Sequence, residues 1–188
     1  MIELSVGQAS PSISRTDVIN ATTGGIAERF MLPSGGIRYE INDKMAIGLI
    51  MYQPFGADVL CGPSAPILGG TAATVTSSAY TRFLRYRFSD KVSVHAGLVY
   101  PNLEPNVTLG GAAYGGLKGY NATFSGDSSM GYIVGSAYEI PDVAMRVALT
   151  YHFKIEHDLD TTETIGRAAI AAPSSIGVTT PKAIELKL

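Results

Sequence analysis

The sequence predicts an all-β fold, an antiparallel transmembrane β-barrel, and three observations carry that reading. A short pattern recurs three times, as Tyr39-Glu40-Ile41-Asn42-Asp43, Tyr86-Arg87-Phe88-Ser89-Asp90 and Tyr138-Glu139-Ile140-Pro141-Asp142. Each copy closes one alternating stretch and opens another, so it reads as an aromatic anchor, a tight turn and a return strand. The copies lie roughly fifty residues apart, room for a long strand up, a loop and a long strand down, with short turns on one side of a membrane and long loops on the other. Composition agrees, because 46% hydrophobic and only 16% charged residues come without any run near the ~18 to 20 apolar residues of a membrane helix. In a barrel wall only every second side chain meets lipid, which leaves Gly, Ser and Thr for the other face.

Taken in order, the strands show period two. In 31-41, Met31, Ile37, Tyr39 and Ile41 share a face opposite Arg38 and Glu40. In 45-52, Met45, Ile47, Leu49 and Met51 look lipid-facing, opposed by Ala46, Gly48, Ile50 and Tyr52. Segment 78-88 places Leu84, Tyr86 and Phe88 opposite Thr81, Arg85 and Arg87, but leaves Arg82 on the lipid face. A mid-membrane charge costs roughly 2 to 4 kcal/mol, so a bulge, a register change or a shallower position is expected there. Segment 92-100 sends Val92, Val94, Ala96, Leu98 and Tyr100 out, with Ser93, His95 and Gly97 in. Segment 143-156 is sharpest, with Met145, Val147, Leu149, Tyr151, Phe153 and Ile155 opposite Ala144, Arg146, Ala148, Thr150, His152, Lys154 and Glu156. A helix would set Arg146 and Lys154 beside its apolar stripe, whereas a strand separates them.

Tyr39, Tyr86 and Tyr138 hold one offset before their turns and form one side of an aromatic girdle. The stretches 12-30, 56-75, 110-127 and 157-180 are rich in Gly, Ser, Thr, Pro and Ala and read as extracellular loops. Within the third, Val107-Thr108-Leu109 and Tyr120-Asn121-Ala122-Thr123 extend into a projecting hairpin with a flexible glycine-rich tip at 110-116.

Several function classes are excluded or unsupported. With a net charge of −2 and 14 scattered basic residues there is no electrostatic footprint for nucleic acid. The single Cys61 pairs with nothing within the chain, and no Cys/His spacing resembles a metal site. His152 and His157 lie five apart, on opposite faces of a strand, with His157 read as a loop residue. The row Thr150, His152, Lys154 and Glu156 reads as solvated barrel wall, so no catalytic residue and no cofactor is assigned.

One irregularity stands out, since the strand from Met45 runs into Gln53-Pro54-Phe55-Gly56. Proline removes a ladder hydrogen bond and glycine permits a bend, so these residues mark either a gap in the wall or the strand's outer end. Unbroken pairing through 53-56 on both sides would exclude the gap.

The stretch from Tyr138 to Tyr151, Tyr-Glu-Ile-Pro-Asp-Val-Ala-Met-Arg-Val-Ala-Leu-Thr-Tyr, resembles a hairpin of the FadL/TodX-type outer-membrane transporters of long-chain fatty acids and hydrocarbons. Ile41-Asn42-Asp43-Lys44-Met45-Ala46-Ile47-Gly48-Leu49 and Tyr86-Arg87-Phe88-Ser89-Asp90-Lys91 look similar to earlier hairpins, and Thr180-Pro181-Lys182 to the start of a later strand. The resemblance implies passive transport of hydrophobic molecules such as long-chain fatty acids across the outer membrane of a Gram-negative bacterium, among outer-membrane lipids and without a chemical step. It also implies a larger barrel with a hatch, and sideways exit at a kinked third strand, here Gln53, Pro54, Phe55 and Gly56. Ile50, Tyr52 and Phe83 are the inward apolar residues expected to touch ligand.

The expectation is therefore a single partial barrel domain over 1-188, about eight strands of a larger barrel, with both ends read as truncated. The alternative is a small closed eight-stranded barrel with a structural or adhesive role. That alternative requires pairing between 1-10 and 181-188.

Overall fold

The computed structural model describes residues 1–188 except 17–21, 64, 66, 126–128, 144, 171, 173 and 188. Ala144 and part of the first expected loop thus lie outside the described residues. The strands are β1 (Ile2–Ala9), β2 (Ser14–Thr16), β3 (Thr22–Gly25), β4 (Phe30–Glu40), β5 (Met45–Tyr52), β6 (Gly56–Leu60), β7 (Ala72–Arg87) and β8 (Val92–Leu109). They continue with β9 (Tyr120–Ser125), β10 (Gly131–Ile140), β11 (Met145–His152), β12 (Ile155–Ile165), β13 (Ala168–Ala169), β14 (Ser174–Thr180) and β15 (Ala183–Lys187).

One antiparallel sheet follows the path β1-β4-β5-β7-β8-β10-β11-β15, a curled half-barrel. Its tight turns fall where the sequence pattern repeats. In the first, Asn42 Oδ1 accepts hydrogen bonds from the N–H groups of Lys44 and Met45, both at 2.9 Å, a side chain standing in for ladder partners. Ser89 Oγ accepts from the Lys91 and Val92 N–H groups in the second. Among the described residues β1 pairs only with β4 and β15 only with β11, so the pairing that a closed small barrel requires is not made.

Register fixes the faces. Met45, Ile47, Leu49 and Met51 share rungs with Tyr86, Leu84, Arg82 and Tyr80, and the last three of these meet Ala96, Leu98 and Tyr100 on β8. This face is outward and apolar, while Thr81, Arg85, Ser93, Val99, Ile133 and Ala137 are buried on the inner face. Tyr39, Tyr86 and Tyr138 all point outward near the turns, and the Tyr86 and Phe88 rings meet edge to face at 4.9 Å. At the other end the outward face changes abruptly from Tyr80 and Tyr100 to Ser78 and Asn102, then Thr76 and Glu104. From Tyr80 to Phe88 is about 27 Å along the strand at ~3.4 Å per residue, or ~20 Å of height at a tilt of ~40°. That is close to the apolar band of a membrane barrel.

Above this boundary the sheet continues where the sequence pointed to loops. β6 pairs with the upper half of β7, β9 with β8 and β12, and β14 with β12. Segment 157-180 is therefore largely strand, and segment 56-75 is strand at both its ends, 56–60 and 72–75. Small polar residues hid the alternation, because outside the membrane the outward face needs no lipid contact. The β12 residues Ile155, His157, Leu159 and Thr161 are buried and alternate with exposed Glu156, Asp158, Asp160 and Thr162.

A second correction follows from β12. Ladder pairing is broken at Phe153 and Lys154, and register through β8 and β9 puts the odd residues of β12 on the inner face, whereas β11 faces its odd residues outward. Ile155 is thus buried rather than lipid-facing, and Glu156 points out, not into the wall row with Thr150 and His152. The apolar residues keep their period but turn over once lipid no longer covers the outside. His157 is accordingly buried, its Nε2 3.3 Å from Thr180 Oγ1, and lies on the same side as His152 without meeting it. His152 instead pairs with Glu185 at 3.4 Å.

The glycine-rich tip is also docked rather than free. Thr71 Oγ1 donates to the Gly110 carbonyl at 2.9 Å and accepts from its N–H at 3.1 Å, while the Ala113 N–H reaches the Ile67 carbonyl at 3.0 Å. Gly111 has φ 83°, and a Cβ there would collide with the Ile67 carbonyl. Cys61 is buried in the same loop, its N–H bonded to the Thr71 carbonyl at 2.8 Å.

Candidate functional site

The strand running out from Met45 loses its ladder on both sides. Toward β7, pairing stops at Tyr52↔Ala79 and resumes at Gly56↔Thr76, so the three residues Gln53, Pro54 and Phe55 oppose only Ser77 and Ser78. One residue too many on one strand is a β-bulge, which bends the strand and flips its faces. Toward β4, pairing ends at Gly35↔Met51 and the next bridge is Ala27↔Val59. Residues 29–34 and 52–57 therefore face each other with no ladder pair.

Local chemistry accounts for this opening. Pro54 has no N–H to offer, and Pro33, on the opposite border, pairs on its other side with Val6 of β1. The backbone that would be left unsatisfied is met by one side chain. Ser77 is 5% exposed, accepts from the Phe55 N–H at 2.9 Å and donates to the Phe55 carbonyl. Gly56 makes room for the Phe30 ring, since a Cβ there would lie 2.6 Å from Phe30 Cε2 and 3.2 Å from Gln53 Nε2.

An apolar inner surface adjoins the opening. Ile50, Tyr52 and Phe83 all lie on the inner face, with Tyr52 packed against buried Ala79, Val99 and Ile133. Gly48 leaves space for the Phe83 ring, which crosses over its rung partner. Toward the tight turns the inner face becomes charged. Arg85 is 7% exposed and binds Glu139 Oε1 at 2.7 Å, and Arg146 Nε reaches the same oxygen at 3.3 Å. Arg38 pairs with Glu40 nearby. His95 bridges over Gly135 to Thr150 Oγ1 at 3.0 Å. No group of acidic, histidine and cysteine side chains suited to a metal ion occurs among the described residues.

The inner surface thus grades from ion pairs to apolar contacts and ends at a break in the wall. Residues 2–188 match a family described as outer membrane protein transport protein (OMPP1/FadL/TodX). The chain belongs to this family. No curated protein matches it. The OMPP1/FadL/TodX family comprises outer-membrane proteins of Gram-negative bacteria that transport hydrophobic compounds and are transporters, not enzymes.

Sequence reasoning singled out 53-56 but missed three contributors. Pro33 carried a readable signal, a second proline in an alternating segment. Ser77 and Phe30 carried none, because their roles arise from register across strands far apart in sequence.

Proposed function

We propose that the protein conducts long-chain fatty acids, or similar elongated hydrophobic compounds, by passive diffusion between the external medium and the barrel interior, with Gln53, Pro54, Phe55 and Gly56 bordering a sideways passage. One observation supports this above others, the continuity of the apolar inner patch of Ile50, Tyr52, Phe83, Val99 and Ile133 with the unpaired stretch beside it. Irregular backbone at a membrane boundary is tolerated where it lines a cavity or finds internal partners, and Ser77 supplies such a partner to Phe55. An elongated apolar molecule in contact with Tyr52 lies beside the break without crossing a charged rung. The Arg85–Glu139–Arg146 group stands on the far side of that patch.

Uptake of a labelled long-chain fatty acid by cells with and without the protein tests the reading, with a small sugar as the hydrophilic comparison. Fatty-acid flux rises and sugar flux does not. Equal rises for both would mean an unselective pore, and no rise for the fatty acid would end the proposal.

A further inference from the structure

Among the described residues, Arg82 is the one charged residue on the outward face of the eight strands along the barrel path on the membrane side of the Tyr80–Tyr100 rung, Glu104 of β8 lying beyond it. Register is unbroken through it, with Leu49 on one side and Leu98 on the other, so it is neither bulged nor turned inward. Its depth explains how it is tolerated. Tyr80 lies two residues nearer the long loops on the same face, about 7 Å along the strand, and Tyr100 is the rung partner of Tyr80. Tyr132 shares the rung of Leu98 and Arg82. Arg82 therefore sits just inside the outer aromatic row, where the cost of a lipid-facing charge falls from roughly 2 to 4 kcal/mol toward ~0 to 1. Its stem can lie on the apolar wall while the guanidinium rises to the headgroups.

Among the described residues the Arg82 guanidinium makes no ion pair with a carboxylate. The nearest outward carboxylate on the paired strands beyond the boundary, Glu104, faces Thr76, six residues along from Arg82. That spacing is about 20 Å of strand. Five planar donors flanked by three interfacial tyrosines match an anion with several oxygens, and phosphate accepts such a fork in bidentate fashion.

We propose that Arg82, framed by Tyr80, Tyr100 and Tyr132, binds the phosphate of a phosphorylated glycolipid of the outer leaflet, and so anchors the barrel wall next to the opening at 53-57. Both features occupy the same level of the wall, because Tyr80 pairs with Met51, two residues before Gln53.

The test uses the intact protein purified in uncharged maltoside micelles, with thermal unfolding followed as lipid A, dephosphorylated lipid A or inorganic phosphate is added. Lipid A raises the midpoint of the native protein, while the dephosphorylated lipid and free phosphate leave it unchanged. Arg82→Leu, which extends the apolar face and so retains the fold, abolishes the response, and Arg82→Lys keeps part of it. An equal lipid A response in the native and Arg82→Leu proteins overturns the proposal. So does an equal effect of the dephosphorylated lipid, which would mean acyl-chain contact alone, or of inorganic phosphate, which would mean a site for a free ion.

Discussion

The two edges of β7 face the same membrane and are built from the same residues, yet they behave differently. Toward β8 the ladder runs without a break from Ala72↔Thr108 to Arg87↔Ser93. Toward β5 and β6 it covers 79–86 and 72–76 in registers that differ by one residue, leaving Ser77 and Ser78 unpaired there. β7 itself is regular, so the difference comes from its neighbours. β8 tolerates Pro101 and Pro105 in full register, whereas Pro54 accompanies an inserted residue. Proline alone does not open a wall; proline with a surplus residue and a serine to hold the displaced backbone does.

Restoring the missing register on the open edge is the most severe perturbation. Deleting Pro54 leaves two residues opposite Ser77 and Ser78, allowing β5 and β6 to run as one strand beside β7. Fatty-acid uptake is expected to fall about tenfold or more, equivalent to ~1.4 kcal/mol on the passage barrier, while the protein still assembles in the outer membrane. Undiminished uptake by the deletion variant would separate the bulge from transport.

The open edge is also held from above, where the loop following β6 docks on the tip between β8 and β9. Gly111→Val places a branched side chain at φ 83° against the Ile67 backbone. The expected local cost is about 1 to 3 kcal/mol, read as faster protease cleavage within 61–71. Unchanged cleavage would mean the docking does not constrain β6.

Ser77→Ala is milder. It frees the Phe55 N–H and carbonyl, and two net hydrogen bonds are worth roughly 1 to 2 kcal/mol together. Amide exchange at Phe55 accelerates, whereas Ser78→Ala, on the outward side, leaves it unchanged. Equal effects at both serines would remove the special role given to Ser77.

The smallest effect lies beyond both edges. Tyr120 donates to Glu163 Oε1 at 2.9 Å across the β9–β12 ladder, and that carboxylate holds the phenol's pKa above its ordinary 10. A raised folded pKa means the contribution is complete below the unfolded value and fades as pH rises through the folded one. A slight loss of hairpin protection is expected only above about pH 10, and Tyr120→Phe abolishes that alkaline step. A step that persists in Tyr120→Phe belongs to another group.

The contrast between β11 and β12 shows which parts of the fold the residues disclosed. From Met145 to Leu159 the apolar residues hold the odd positions almost throughout, so period two located β11 and ran into the first residues of β12, while the rest of β12 was read as loop. Periodicity says which residues share a face but not which face meets lipid. In β11 the odd side chains face outward, and in β12 inward, because the environment changes at the membrane boundary. The tight turns, the girdle of Tyr39, Tyr86 and Tyr138 and the inward orientation of Ile50, Tyr52 and Phe83 were legible because each depends on local spacing. Arg82 was legible as an anomaly, and its shallow position resolves it. The clamp from Ser77 to Phe55 and the seat of Phe30 over Gly56 were not legible, since cross-strand register decides them.

Closing the opening chemically is the most direct trial of the claim that cargo passes beside 53-56. Pro33→Cys and Gln53→Cys, in a Cys61→Ser background, place thiols on facing borders of the unpaired stretch for a cleavable bifunctional cross-linker. With the link formed, long-chain fatty-acid uptake is expected to drop to the level of cells lacking the protein and to recover when the link is cleaved. Full uptake through a demonstrably cross-linked wall would contradict the account.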